Sequence, residues 1–229
     1  MGQVAENIAD VRRRIEAACQ RAGRDPAEVT LVGASKTVGA AGLAEAMEAG
    51  LGVFGENYVQ EAKGKVGQPP GAVWHLIGRL QTNKAALAVR LFALIHTLDS
   101  LRLALDLDRR AAALGKVQPV LIEVRLVPGA GRAGVPEADL PELASRVASL
   151  PNLDPRGLMC LPPFFEEPER ARPYFAQLRE ARDRLRRATG LALPELSMGM
   201  SGDFETAIEE GATLVRVGTA IFGRRPARG

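Results

Sequence analysis

The alternation of short apolar, β-prone runs with stretches of helical periodicity constrains this chain more than any other feature. Eight runs read as strands, at 30–35, 53–55, 73–77, 94–98, 119–125, 157–161, 195–197 and 214–217. Helical spacing recurs between them near 40–49, 57–66, 82–89, 100–114, 137–149, 168–188 and 203–210. Strands that alternate with helices pair in parallel through right-handed crossovers. Eight such units predict an α/β fold, a closed (β/α)8 barrel of the TIM type. An extra helix opens the chain, because Val4, Ile8, Val11, Ile15, Ala18 and Cys19 recur at helical spacing over 4–22. We expect one domain over residues 1–229: helix and connection in 1–28, barrel in 29–224, tail in 225–229. Asp99 and Asp203 look like helix caps, and Asn57 could cap the helix that follows it.

Composition removes several function classes. The net charge of +3 is small, and Arg179, Arg182, Arg184, Arg186 and Arg187 alternate with Glu180 and Asp183 as on a solvated helix face. Aromatic residues make up only 4%, so no basic run interleaves with stacking side chains and nucleic acid is not an expected partner. No apolar run approaches the roughly 20 residues of a membrane span, and the first 32 residues carry acids and arginines rather than a signal sequence. Cys19 and Cys160 have no metal-type spacing and read as reduced thiols of a cytoplasmic protein. No His/Cys/Asp cluster, nucleophile elbow or strand–GxGxxG–helix pattern is present, so metal, serine-hydrolase and dinucleotide chemistry have no support.

Barrel chemistry sits at the C-terminal ends of the strands. There the first strand meets Lys36, in Thr30-Leu-Val-Gly-Ala-Ser-Lys-Thr37. Desolvation lowers an amine's pKa, and a neutral amine condenses with an aldehyde to a Schiff base. Near the other end of the chain, Leu196-Ser-Met-Gly-Met-Ser-Gly-Asp203 and Leu214-Val-Arg-Val-Gly-Thr219 each bring glycine amides and a hydroxyl to a strand end. Ser201, Gly218 and Thr219 are therefore candidate phosphate ligands, since the loops after the last two barrel strands commonly hold phosphate. Arg216 alternates with Val215 and Val217, and if it points inward it must meet an acceptor. That acceptor is either Glu123, in a structural ion pair, or a ligand atom. Asn57 ends the second strand beside Glu56, His75 lies in the third as catalyst or structural residue, and His96 reads as structural.

A Schiff-base lysine, a phosphate cradle and an inward arginine together suggest pyridoxal 5′-phosphate. The chain resembles the pyridoxal phosphate homeostasis protein family in Ser35-Lys-Thr37, Phe54-Gly-Glu-Asn-Tyr-Val-Gln-Glu61, Trp74-His-Leu-Ile-Gly78, Arg156-Gly-Leu-Met159, Leu196-Ser-Met-Gly-Met-Ser201 and Val215-Arg-Val-Gly-Thr-Ala-Ile-Phe-Gly223. These stretches follow the family's order across almost the whole chain. The resemblance implies a barrel like the N-terminal domain of alanine racemase, with the cofactor on Lys36, the phosphate on Ser201, Gly218 and Thr219, and Arg216 facing the ring nitrogen. Asn57 and His75 would line the cofactor. An arginine discourages protonation of that nitrogen and makes the ring a poorer electron sink. The sequence departs from the family at Arg125, at Arg132 and at Val38-Gly39.

The expected function is therefore intracellular pyridoxal phosphate homeostasis: a lysine-bound cofactor, no strong turnover and transient delivery to recipient apoenzymes. The alternatives are a cofactor-dependent amino-acid racemase and a cofactor-free Schiff-base aldolase. A two-base racemase needs a group on each face of its substrate. Only Tyr58 and Tyr174 are available as tyrosines, and the β-domain of the alanine racemases is absent before Gly229, which also favours a monomer.

Overall fold

The structure is a computed structural model that describes residues 2–127 and 133–223. The expected tail at 225–229, the arginines Arg224, Arg225 and Arg228, and Arg132 lie outside the described residues.

Helix α1 (Gln3–Arg21) leads into the repeating units β1 (Thr30–Ala34), α2 (Ala40–Glu48), β2 (Val53–Glu56), α3 (Val59–Lys63), β3 (Val73–Leu76), α4 (Ala85–Leu91), β4 (Leu94–Leu98) and α5 (Leu101–Ala112). The second half runs β5 (Gln118–Arg125), β6 (Val135–Pro136), α6 (Leu140–Ala148), β7 (Leu153–Met159), α7 (Arg172–Thr189), β8 (Glu195–Met200), α8 (Phe204–Glu209), β9 (Leu214–Val217) and α9 (Thr219–Phe222). Eight strands form the barrel in the order β4-β3-β2-β1-β9-β8-β7-β5, and a β4–β5 pairing closes it. All these pairings are parallel. Two-residue β6 adds to β5 outside the ring, with Val124 opposite Val135.

Side-chain alternation divides the core into two. One apolar cluster, with Val32, Ile77, Leu94, Leu121, Met159 and Leu214, fills the barrel. A larger one, including Phe54, Trp74, Leu98, Phe175 and Phe204, fills the space between strands and helices. This is the expected result of parallel strands buried on both faces. Helix α9 has only four residues, and α1 packs against α8, α9 and α2. Its buried face of Ile8, Val11, Ile15, Ala18 and Cys19 covers the flank that a full eighth helix would cover.

The differences from sequence expectation are local. Strand β7 begins at Leu153, four residues before the expected 157, because pairing with β5 overrides the low strand propensity of Asp154 and Pro155. Strand β8 runs on to Met200, and α3 is shorter than expected at Val59–Lys63. The 3-10 turn Pro26–Glu28, β6 and α9 carry too few residues to leave a periodic signal. Asp99 and Asn57 do not cap as expected, and Asp203 holds the N-cap position of α8 without a side-chain capping bond. Ser100 and Tyr58 occupy the N-cap positions of α5 and α3, and Asp203 accepts instead from the Met200 amide at 2.6 Å.

Candidate functional site

Lys36 stands two residues past the end of β1, after Ser35, whose amide extends the ladder to Gly55 O at 3.0 Å. Val32 and Ala34 belong to the barrel interior, so alternation puts Lys36 on the inner side of the rim. The segment is held from outside. Ser35 Oγ donates to Glu56 Oε1 at 2.7 Å, and Lys65 Nζ donates to the same oxygen and to Ser35 O, each at 2.8 Å. Thr37 then turns the chain with φ of +67°, a costly conformation for a β-branched residue. Lys36 lines a cavity of about 280 Å³ with Thr37, Val38, Gly218, Thr219 and Phe222.

Two strand ends meet on the other side of that cavity. Opposite β9, β8 carries an irregularity: Ser197 faces Leu214, but Met200 faces Arg216, so one extra residue is accommodated. Gly199 takes φ of +90° there, and a Cβ on it would lie 2.6 Å from the Ala207 side chain. Its glycine is therefore explained by packing against α8 rather than by approach to a ligand. Ser201 Oγ accepts from the amides of Gly218 at 3.2 Å and Ala220 at 3.3 Å, so two N–H groups converge on one oxygen. Gly218 packs on β1 so closely that a Cβ would lie 3.2 Å from Ala34 O.

Beneath this rim, polar side chains share the barrel interior with the apolar cluster. Arg216 is 4% exposed and donates to Ser197 Oγ at 2.5 Å and to Cys160 O at 3.0 Å. It makes no ion pair among the described residues, so the structural pairing with Glu123 is not formed. Ser197 Oγ also meets His96 Nδ1 at 2.9 Å, and His96 Nε2 meets His75 Nδ1 at 3.1 Å. Burial lowers the pKa of His75 to about 4. That of His96 lies well below the ordinary value, through burial first and then the neighbouring His75 and Arg216 charges. Glu123 is also buried, and its Oε2 has no partner. Burial raises its pKa to about 7, Asp99 adds to the rise, and Arg216 and Arg79 oppose it. Cys160 is a buried free thiol pushed up to about 12 by burial, and Cys19 is free and buried too.

The fold thus brings Lys36, Gly218 and Thr219 to one cavity, with Ser201 tied to it through two amides. His75 and Arg216 are joined beneath through His96 and Ser197. Asn57 follows β2 at the same end, and its backbone lies against Gly78, where a Cβ would come within 2.2 Å of Asn57 O. A larger cavity of about 900 Å³, between the segments after β3 and β4, is lined by Arg79, Gln81, Thr82, Asp99 and Arg102 and holds none of these residues. Sequence reading missed Ser197. Among the described residues no group of three or more His, Cys, Asp or Glu could hold a metal, and no helix is long and apolar enough to cross a membrane.

Comparison with known proteins agrees with this architecture. Residues 6–226 match the family described as alanine racemase, N-terminal domain. The chain is 48% identical over 222 residues to the pyridoxal phosphate homeostasis protein of Aquifex aeolicus, covering 96% of this chain and 97% of that one. Identity to the Escherichia coli K12 protein of the same name is 44% over 236 residues, covering 98% of each. The structure of PipY from Synechococcus elongatus with PLP bound superposes with a TM-score of 0.86 at 40% identity, covering 96% of this chain and 100% of that one. Clostridium difficile alanine racemase shares the fold with a TM-score of 0.73 at 15% identity, and this chain spans 60% of it. On nearly full-length similarity and a shared barrel, the chain belongs to the pyridoxal phosphate homeostasis protein family.

Proposed function

We propose that this protein holds pyridoxal 5′-phosphate on Lys36 as a Schiff base and serves intracellular cofactor homeostasis without strong turnover. The observation that carries the reading is the meeting of Lys36, Gly218 and Thr219 around one cavity, with two backbone amides aimed at a single oxygen beside it. The residues present fit the group. Ser201 Oγ, which accepts from both amides, keeps its own hydrogen to donate to a phosphate oxygen, and the absence of a Cβ on Gly218 leaves β9 seated against Ala34. When bound, pyridoxal phosphate supplies an aldehyde carbon that an amine can attack, with loss of water. Lys36 is the amine, Ser201, Gly218 and Thr219 hold the phosphate, and Asn57 and His75 line the ring.

Arg216 supplies the chemical restraint. Its guanidinium only donates hydrogen bonds and stays a cation, so a ring nitrogen facing it is kept from protonation. Tyr58 is 62% exposed at the start of α3, and Tyr174 stacks on Phe165 at a ring distance of 5.8 Å. Neither is held inside the barrel as a second base, which supports a carrier over a racemase. In the same reading the protein is a cytoplasmic monomer that passes its cofactor to recipient apoenzymes and binds neither nucleic acid nor membrane.

The test is a visible spectrum with added pyridoxal phosphate, before and after borohydride, followed by peptide mapping. We expect a yellow band that reduces onto Lys36 and disappears in Lys36→Ala. A yellow, borohydride-reducible adduct retained by Lys36→Ala, or label scattered over other lysines, would overturn the proposal.

A further inference from the structure

Four of the polar side chains inside the barrel come from four different strands: His75 on β3, His96 on β4, Ser197 on β8 and Arg216 on β9. They form one line of hydrogen bonds, with separations of 3.1, 2.9 and 2.5 Å from His75 to Arg216. Proton accounting orders that line. A guanidinium only donates, so Ser197 Oγ accepts from Arg216. The serine hydrogen then needs an acceptor, and among the described residues His96 Nδ1 is the one within reach. His96 is therefore unprotonated at Nδ1, and with its pKa well below neutrality it carries its proton on Nε2. That proton can only point at His75 Nδ1. His75, also neutral, is left with its proton on Nε2. This nitrogen has no partner among the described residues and is not among the fully buried unpaired atoms.

We infer that Ser197 and His96 are positioning residues: they hold the Arg216 guanidinium in place and fix His75 as a hydrogen-bond donor, through its Nε2–H, for an anionic or carbonyl oxygen of the ligand. The direction of the line is imposed from the Arg216 end. It cannot reverse without a second proton on Ser197 or loss of one from Arg216, so the line orients without shuttling protons. Cys160 O grips the second arm of the guanidinium at 3.0 Å, so rotation about the arginine's end is blocked at two points. The benefit to the ligand rests on the cofactor reading above. The order of the hydrogen bonds does not.

Two measurements separate these. Long-range nitrogen–proton NMR of the protein without ligand at neutral pH reports each imidazole's tautomer. Both rings should be neutral with the proton on Nε2, and an Nδ1–H tautomer or a cationic ring on either histidine would overturn the inference. Pyridoxal 5′-phosphate titration then compares the parent, Ser197→Ala and Ser197→Thr. Ser197→Ala should shift the visible band and weaken binding about tenfold, the cost of losing one hydrogen bond to a charged group, while still labelling Lys36. Ser197→Thr, which keeps the hydroxyl, should restore band and affinity. A Ser197→Ala protein with the parent's spectrum and affinity would overturn the positioning role. If the parent carries no label on Lys36, the cofactor reading fails and the tautomers alone decide the ordered line. They decide it equally if Ser197→Ala does not fold.

Discussion

Two regions of this molecule concentrate charge and solve the problem in opposite ways. On the outer face, Arg172 of α7 reaches Glu209 at 2.6 Å, Glu210 at 3.0 Å and Glu169 at 2.7 Å. Arg21 and Arg179 share Glu209 and Glu210 with it, tying α1 and α7 to α8. Every cation there has a carboxylate, and water reaches most of the group. Inside the barrel, among the described residues, Arg216 meets no carboxylate and donates to a serine oxygen and a peptide carbonyl, while Glu123 nearby has an unpaired oxygen. The outer network satisfies its charges with one another. The inner residues are left with capacity that the fold itself does not use, which is what a binding site requires.

That contrast makes predictions of graded size. The largest concerns Glu123 and pH. Its pKa is raised to about 7 in the folded protein, so between the ordinary carboxylate value and pH 7 the folded state holds a proton that the unfolded chain has lost. Stability from this group is full at low pH and is lost as pH rises through that window, by about 3 kcal/mol. Glu123→Gln should remove the loss, so urea unfolding at pH 8 should find the variant more stable than the parent. Parent and variant with equal stability at pH 8 would mean that the carboxylate is solvated after all. His75 works in the other direction. Its pKa is depressed to about 4, so its contribution is lost as pH falls from about 6.5 toward 4, and the two groups partly cancel near pH 5 to 6.

Removal of the hub residue in each region sharpens the comparison. Ser197→Ala strands a buried guanidinium arm and an imidazole acceptor at once, and should cost about 2 kcal/mol in stability with little dependence on salt. Arg172→Ala returns three partly exposed glutamates to water and to their remaining arginines. It should cost less than about 1 kcal/mol, and 1 M salt should erase most of that. Equal costs for the two variants would break the distinction drawn between the regions.

The arginines of α7 illustrate how far local reading reaches. Their alternation with acids marked an exposed face, and Arg184 does pair outward with Glu137, although the pairing of Arg172 and Arg179 with α8 joins residues 31 to 38 apart in sequence. Lys36, Ser201, Gly218 and Thr219 were legible because each lies at a strand end, and strand ends show in hydrophobic patterning. Ser197 was not legible. Its partners lie 19 and 101 residues away, and nothing in a serine within an apolar run distinguishes a hydrogen-bond hub from a filler. Glu123 appeared as a possible partner for Arg216, and only the packed barrel shows the two unpaired.

Sequence alone determined the alternation of strands and helices, the eight-unit barrel and the rim on which chemistry could sit, because inside–outside periodicity is a local property of the chain. It also carried the family, since the matching motifs are short and collinear. Tertiary structure decided the rest: that α1 covers the flank left by the short α9, that β8 bulges at Gly199, and that four polar side chains from distant strands meet in one ordered line. Those outcomes depend on strand register and on the proton needs of neighbours brought together only by closing the barrel, and no local pattern encodes either.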